Sequence, residues 1–165
     1  MPTALENQSL TLKVRLYPTA EQAQEFVIVT REYQRLCNIA SRYAFENDII
    51  IQKSSQRKLN NKLYYRFKSI TFLRTQIIQS VFRTVIARYK TIQSQLNTKP
   101  FKYYDKTSKK LYTVKRTVAW LQKPVQFSRP QIDLVRNSNY SLANNANQLS
   151  IAGRDGRLAV NYVLQ

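Results

Sequence analysis

The chain has 165 residues, of which 43% are hydrophobic, and this length and composition support a folded core rather than a disordered segment. Its 27 Lys and Arg residues outnumber 9 Asp and Glu residues, which gives a formal net charge of +18. Because the chain has one cysteine and no histidine, an internal disulfide, a Ser–His or Cys–His pair and a Cys/His zinc cluster are excluded.

The basic residues are concentrated in one part of the chain. Between Lys53 and Arg116 there are 17 basic residues and a single acid, Asp105. Ordinary protein surfaces mix both signs, so a one-signed stretch of this length predicts an anionic partner. Because 11 Tyr, 7 Phe and one Trp supply stacking surfaces, nucleic acid is the favoured partner and an acidic membrane surface the weaker alternative.

Neither catalysis nor membrane insertion is indicated. The nine acids form no spaced cluster for two metal ions, so we expect no active site and no cofactor in this chain. A membrane-spanning helix needs about 18 apolar residues, and no apolar run in the chain approaches that length. The N-terminus lacks the pattern of a signal peptide. We therefore expect a cytoplasmic protein without a membrane partner, in which Cys37 is a core residue.

The first predicted elements are a short strand and a long helix. Alternating apolar residues indicate a strand over residues 9–17, and Pro18 ends it because proline cannot donate to a sheet ladder. Thr19 precedes Gln22 by three residues, which is the spacing of a capping box. Apolar residues at spacings of three and four then predict an amphipathic helix over residues 19–47.

Two more helices are predicted before residue 99. A short buried connection over residues 49–52 precedes a helix over residues 55–68, and a third helix covers about residues 71–96. Gly and Pro are absent from residue 19 to residue 99, which favours uninterrupted helices.

After Pro100 the pattern changes to short strands. FKYY and LYTV flank the polar loop DKTSKK, RTVAWL is a further apolar run, and NQLSI and RLAVNYV flank the turn AGRDG. A lone first strand could not satisfy its backbone hydrogen bonds, so we expect residues 9–17 to pair with strands after residue 100. The predicted class is α+β, a small β-barrel with a helical insertion after its first strand: residues 1–18, then 19–98, then 99–165.

Four groups of side chains are candidates for nucleic-acid contacts. Each group has an ordinary alternative, either a solvated face or a simple turn. Phosphate contacts are predicted for Lys13 and Arg15 on the first strand, and for the basic stripe Arg57, Lys58, Lys62 and Arg66 beside Tyr64 and Tyr65. Base contacts are predicted for Gln76, Gln79, Ser80 and Arg83 on the third helix, and a recognition loop for Arg136, Asn137, Ser138 and Asn139.

Four segments together resemble a known family. LKVRLYPTAEQ, EYQRLCNIAS, QIIQSVFRTVIARYK and QIDLVRNSNYSLANNANQLSI follow in the order found in the N-terminal part of TnpB proteins, the transposon-encoded RNA-guided nucleases related to small type V CRISPR effectors. The most specific element is RLYPT followed by a helix. The resemblance implies that the barrel is an oligonucleotide-binding-type wedge domain and that the helices are a recognition domain.

The resemblance also implies partners and roles. The wedge and recognition parts would hold a guide RNA and the guide–target DNA heteroduplex, and read a short motif beside the target. Gln79 is then the first candidate reader of that motif, and Thr75 departs from the Lys or other polar group often found at its position. Thr75 and Gln76 are carried over as readers beside Gln79, and Asn137 and Ser138 lie where a second segment of the family approaches the same duplex. Arg83 is a further candidate reader from its residue type on the third helix.

The resemblance does not extend to a nuclease domain. In the family, the acidic metal-binding triad and the zinc ribbon follow the matched region, so magnesium and zinc would belong to a domain absent from this chain. We expect a chain that is not an enzyme by itself, as an N-terminal portion or as a short form that binds without cutting. A separate nuclease-domain chain is a possible further partner.

Two rival hypotheses remain open. The first is a DNA-binding transcriptional repressor derived from a transposon protein, which uses its helices without RNA. The second is an assembly subunit whose basic face docks an acidic protein.

Overall fold

The computed structural model describes residues 11–142 and 147–165, and the fold is mixed α and β. The strands are β1 (Val14–Tyr17), β2 (Phe101–Asp105), β3 (Lys110–Val114), β4 (Tyr140–Leu142), β5 (Gln148–Ala152) and β6 (Arg157–Leu164). The helices are α1 (Ala20–Glu46), α2 (Ser55–Ile70) and α3 (Thr75–Asn97). The helices therefore lie between the first strand and all the others in the chain, as predicted.

The first strand pairs with the last. Antiparallel β1 and β6 align Val14 with Leu164 and Tyr17 with Asn161, which confirms the predicted long-range pairing. The predicted strand began at residue 9, but β1 begins at Val14 and residues 11–13 are not part of a strand; residues 9 and 10 lie outside the described residues. The predicted hairpins over residues 101–114 and 148–164 are also confirmed.

The described strands do not close into the expected barrel. They form an open four-stranded sheet in the order β1-β6-β5-β4 and a separate two-stranded sheet, β2-β3. Closure would require hydrogen bonds between the edge strands β1 and β4, or between either edge and the β2–β3 hairpin. The RTVAWL run, predicted among the strands, forms a 3₁₀ turn over Val118–Trp120 instead.

The helices pack around one core. A single core cluster is formed by apolar positions on all three helices, and Phe67 of α2 stacks on Phe82 of α3 with ring centroids 5.4 Å apart. The buried core residues of the helices are Val29, Tyr33, Leu36, Cys37, Ala40, Ala44, Leu59, Leu63, Phe67, Ile77, Ile78, Val81, Phe82, Val85, Ile86 and Tyr89. Cys37 is thus a core residue, as predicted.

The segment that connects β3 to β4 crosses the helices, and polar side chains of α1 attach it to them. The side-chain amides of Gln34 and Asn38 donate to the carbonyl oxygen of Phe127, and the amide N–H of Phe127 donates to Asn38 Oδ1 at 2.8 Å. Ser41 Oγ donates to the carbonyl oxygen of Val125 at 2.6 Å. These bonds satisfy backbone groups that have no strand partner, so this segment crosses the helices without forming a sheet.

Candidate nucleic-acid interface

A polar cleft lies between α2 and α3. The link between the two helices is only four residues, 71–74, and α3 runs back along α2. Leu59, Leu63 and Phe67 form the buried side of α2, so the adjacent face, which carries Arg57 and Asn60, is turned toward the rim of α3. The helices enclose a cleft of about 460 Å³, lined by Ser54, Gln56, Arg57, Asn60, Gln79 and Phe82.

The cleft brings together two residues that the sequence assigned to different tasks. Gln79, the predicted base reader, is exposed on α3, and Arg57, a predicted phosphate ligand, is exposed on α2. A glutamine amide offers one acceptor and two donors, and a guanidinium offers five donors. The cleft can therefore hydrogen-bond a base edge and an anionic oxygen at the same time.

Asn60 is a functional candidate that the sequence interpretation missed. Its side-chain oxygen Oδ1 is buried at the wall of the cleft and lacks a hydrogen-bond partner among the described residues. A buried acceptor without a partner costs about 1–3 kcal/mol, which an incoming donor would recover. Asn60 follows Arg57 by three residues on a predicted helix, so helical spacing could have identified it as a neighbour.

The predicted base contact at Ser80 is wrong, because Ser80 is buried and its hydroxyl donates to the carbonyl oxygen of Asp133 at 2.9 Å. The other predicted readers on α3 are held by neighbouring side chains or lie beside the cleft. Thr75 Oγ1 lies 3.3 Å from the hydroxyl oxygen of Tyr64, which links the start of α3 to α2. Gln76 is exposed one residue further along. Arg83 donates through Nε and Nη2 to Asp133 Oδ2, at 3.2 and 2.9 Å, so its guanidinium is engaged by a carboxylate. Both members of this pair are partly exposed.

The basic stripe on α2 divides into two groups. Lys58, Lys62 and Arg66 recur every four residues and are all exposed, so they form one row. Lys58 Nζ donates to Gln52 Oε1 at 2.6 Å, at one end of the row. Arg57 lies about a quarter turn away, in the cleft. Tyr65 is 79% exposed and packs edge-on against Tyr64, with ring centroids 5.3 Å apart.

Of the two candidates near the first strand, Arg15 lies on β1 and Lys13 immediately precedes it. Lys13 and Arg15 are exposed, and the Arg15 guanidinium lies 5.6 Å from the centre of the Tyr17 ring. A cation over an aromatic face is weakly stabilised, so this contact orients Arg15 along the edge strand. The basic candidates therefore occupy two surfaces, one on the sheet and one on the helices.

The predicted recognition loop is a tight turn built on Asn139. Asn139 is buried, and its Oδ1 accepts from the Val135 amide at 3.3 Å while its carbonyl oxygen accepts from the Ala152 amide at 2.7 Å. Asn137 is exposed in the left-handed region, with φ of 62°. Arg157 Nη1 donates to the carbonyl oxygen of Ser138 at 3.1 Å, so Ser138 is fixed from the sheet. Asn137 presents its side chain outward, and Asn139 has a structural role.

Burial makes the single thiol unsuitable as a nucleophile. Desolvation raises the pKa of Cys37 to about 12, from an ordinary value of 9.0. Thiolate is the reactive form, so little is present near neutral pH. Within residues 11–142 and 147–165, there is no group of three or more His, Cys, Asp or Glu side chains that could hold a metal ion.

Among the helices that the structure describes, none combines the length and the apolar character that a membrane span would require. In the comparisons with known proteins, no family model, no curated protein and no solved structure matches this chain.

Proposed function

We propose that the chain is a nucleic-acid-binding module of a TnpB-like RNA-guided DNA endonuclease. The observation that carries the proposal is the α2–α3 cleft, in which Arg57, Asn60 and Gln79 converge beside a row of exposed cations. In this module the cleft reads a short DNA motif beside the target, and the cations bind nucleic-acid backbones.

The cleft has the chemistry that base reading requires. Glutamine and asparagine amides pair with adenine through one donor and one acceptor, and arginine pairs with guanine or phosphate. The Asn60 Oδ1 atom, at the wall of the cleft, is a buried acceptor without a hydrogen-bond partner among the described residues. A base edge that presents an amino group, as adenine and cytosine do in the major groove, would satisfy it.

The surface around the cleft has the electrostatics of backbone binding. Lys58, Lys62 and Arg66 extend along α2, and α2 contains no acidic residue. Phosphate contacts release condensed counterions and carry no base information, so these residues contribute affinity rather than preference. Lys13 and Arg15 offer a second backbone-binding surface on the sheet.

The identity of the partners rests on the resemblance of the sequence to the TnpB family. On that basis the bound species are a guide RNA, its heteroduplex with target DNA and the motif duplex, and a nuclease-domain chain is a further partner. The wedge role of the open sheet β1-β6-β5-β4 is part of the same proposal. The module itself catalyses no reaction.

The first test is to identify the nucleic acid that accompanies the protein. We expect the chain, expressed with its flanking DNA, to purify with a discrete RNA that ends at a transposon boundary. Protein that purifies without RNA and binds bare duplex would instead support a transcriptional repressor. Protein that binds neither RNA nor DNA, but captures an acidic protein in a nuclease-resistant complex, would support an assembly subunit.

A second test separates base reading from backbone binding. Gln79→Ala should cost roughly 1–3 kcal/mol on the preferred duplex and alter which sequence is preferred, because a bidentate base contact is lost. The combined alanine variant at Lys58, Lys62 and Arg66 should weaken binding to all sequences alike. If the Gln79→Ala variant keeps the preference of the parent protein, the cleft does not read the motif.

A further inference from the structure

The β2–β3 hairpin carries a row of aromatic rings on one face. Tyr103 and Tyr112 are direct cross-strand partners, and Phe101 lies two residues before Tyr103, so all three side chains lie on the same face. Ring centroids are 5.4 Å apart for Tyr103–Tyr112 and 5.9 Å apart for Phe101–Tyr103, and the ring planes are within 18° and 27° of parallel. Trp120 extends the row, 6.2 Å from Phe101.

These rings are not used by the hydrophobic core. Phe101, Tyr103, Tyr112 and Trp120 are 41%, 44%, 39% and 47% exposed, and the hairpin forms its own two-stranded sheet. The base of the row is fixed to α3, because the amide N–H of Val118 donates to Gln93 Oε1 at 2.9 Å and Val118 is buried. The protein therefore holds four aromatic rings in a defined, accessible arrangement.

The segment that carries the hairpin is strongly positive. Residues 99–116 contain seven basic residues, Lys99, Lys102, Lys106, Lys109, Lys110, Lys115 and Arg116, and one acid, Asp105. The Asp105 carboxylate accepts from the Thr107 amide at 2.9 Å and from Ser108 Oγ at 2.7 Å, so it shapes the turn. A surface of this composition is complementary to a polyanion with flat apolar groups, not to an apolar protein helix.

We propose that this aromatic face is a stacking platform for unpaired RNA nucleotides, whose phosphates the basic residues of the same segment contact. The proposal rests on the proposed nucleic-acid-binding function and assigns the hairpin a ligand. Exposed aromatic side chains on a β-surface stack bases that have left a helix, and the bases of a duplex cannot offer their faces in this way. RNA presents unpaired bases in loops and bulges, and the hydroxyls of Tyr103 and Tyr112 can pair with a 2′-hydroxyl.

The test uses the full chain with an unstructured RNA of about 12 nucleotides, a length within the range of known single-strand sites. The comparison probes are a single-stranded DNA of the same sequence and the corresponding DNA duplex. The variant Tyr103→Leu with Tyr112→Leu keeps apolar side chains but removes two stacking faces. The matched control is Tyr104→Leu, which changes a more exposed tyrosine on the opposite face of the same strand.

We expect the double variant to lose about 10- to 100-fold in RNA affinity, because it removes two stacking faces while its leucines keep some apolar contact. The affinity of the double variant for the duplex, and the affinity of the control variant for RNA, should each change by less than about twofold. The chain has one tryptophan, so quenching of Trp120 fluorescence by RNA reports stacking in the unmodified protein. Unchanged RNA affinity in the double variant, an unquenched Trp120, or tighter binding to single-stranded DNA than to RNA would overturn the proposal.

The outcomes also separate this proposal from the function on which it rests. If the combined alanine variant at Lys58, Lys62 and Arg66 loses duplex affinity while the hairpin variant keeps its RNA affinity, only the stacking platform is wrong. If the unmodified chain binds none of the three probes, the nucleic-acid-binding function is wrong as well. Tyr103→Leu alone serves as the probe if the double variant does not fold.

Discussion

Gln22 Nε2 donates a hydrogen bond of 3.0 Å to the carbonyl oxygen of Ala159, across 137 positions of the chain. The same side chain accepts from the Thr19 amide through Oε1 and completes the capping box at the start of α1. One residue thus caps the start of the first helix and attaches it to the last strand. This bond fixes the direction in which the helices leave the sheet.

Gln22→Ala should destabilise the protein by about 1–2 kcal/mol, because both the cap and the contact with Ala159 are lost. Urea unfolding followed by circular dichroism measures the change, and Gln24→Ala, an exposed substitution two residues further along α1, is the control. Equal stabilities for the two variants would show that the contact with Ala159 contributes nothing.

The stability of the fold should decrease as the pH rises above about 9. Burial raises the pKa of Cys37 to about 12 from 9.0, and that of Tyr33 to about 12 from 10.0. Above the ordinary values, the unfolded chain loses protons that the folded chain retains, so each group contributes stability that is complete below its ordinary pKa and declines toward pH 12.

Cys37→Ala tests this dependence. The informative quantity is how steeply the free energy of unfolding changes with pH, not its absolute value. Between about pH 8 and pH 10 the free energy of unfolding should fall less steeply in the variant than in the parent protein, with each group limited to about 1.4 kcal/mol per pH unit. Equal slopes would mean that the thiol ionises as easily in the folded chain as in the unfolded chain.

Asp133→Ala should tighten binding to duplex DNA. The substitution removes an acid and releases the Arg83 guanidinium, which now donates to Asp133 Oδ2 at 2.9 Å. We expect about three- to tenfold higher affinity at low salt, measured by fluorescence anisotropy, and a gain that salt reduces. In an Arg83→Ala background most of the gain should vanish; a gain of the same size there would assign the effect to net charge alone.

The Arg83–Asp133 pair should matter little for stability. Its members are 48% and 44% exposed at the side chain, and exposed pairs contribute about 0–1 kcal/mol. A double-mutant cycle from urea unfolding measures this coupling, and a value well above 1 kcal/mol would contradict the expected solvent screening.

Substitution should lower the stability of the protein at Asn139 but change it little at Asn137. Asn139→Ala should destabilise the protein by about 1–3 kcal/mol, because it removes the buried Oδ1 that accepts from the Val135 amide. Asn137→Gly should stay within about 0.5 kcal/mol of the parent protein, since glycine readily adopts its positive φ. If Asn137 contacts the motif duplex, Asn137→Gly weakens duplex binding without this loss of stability.

Local patterns were sufficient where local interactions dominate. The capping box marked the start of α1, and the hairpin over residues 101–114 followed from two alternating runs around a polar loop. The start of α3 was predicted four residues early, because Leu73 is buried in the link although it is not helical. The apolar pattern reports burial, and a buried link resembles a helix in sequence.

Longer-range features could be predicted only in part. The pairing of β1 with a late strand followed from the backbone groups that an orphan strand would leave unsatisfied. The open sheet and the 3₁₀ turn at Val118–Trp120 did not follow, since they depend on partners such as Gln93, 25 residues away from Val118. Such contacts compete with local preference, and a single sequence does not rank them.

The sequence by itself determined the α+β class, the order of the elements and the basic charge that favours nucleic acid, because composition and periodicity act through burial and net electrostatics. Only the tertiary structure decided which candidates share a site. It separated Arg57 from the row of Lys58, Lys62 and Arg66, engaged Arg83 with Asp133, and left the Asn60 oxygen unpaired beside Gln79. Those relations depend on how packed helices are rotated against each other, and this rotation is set by the whole core.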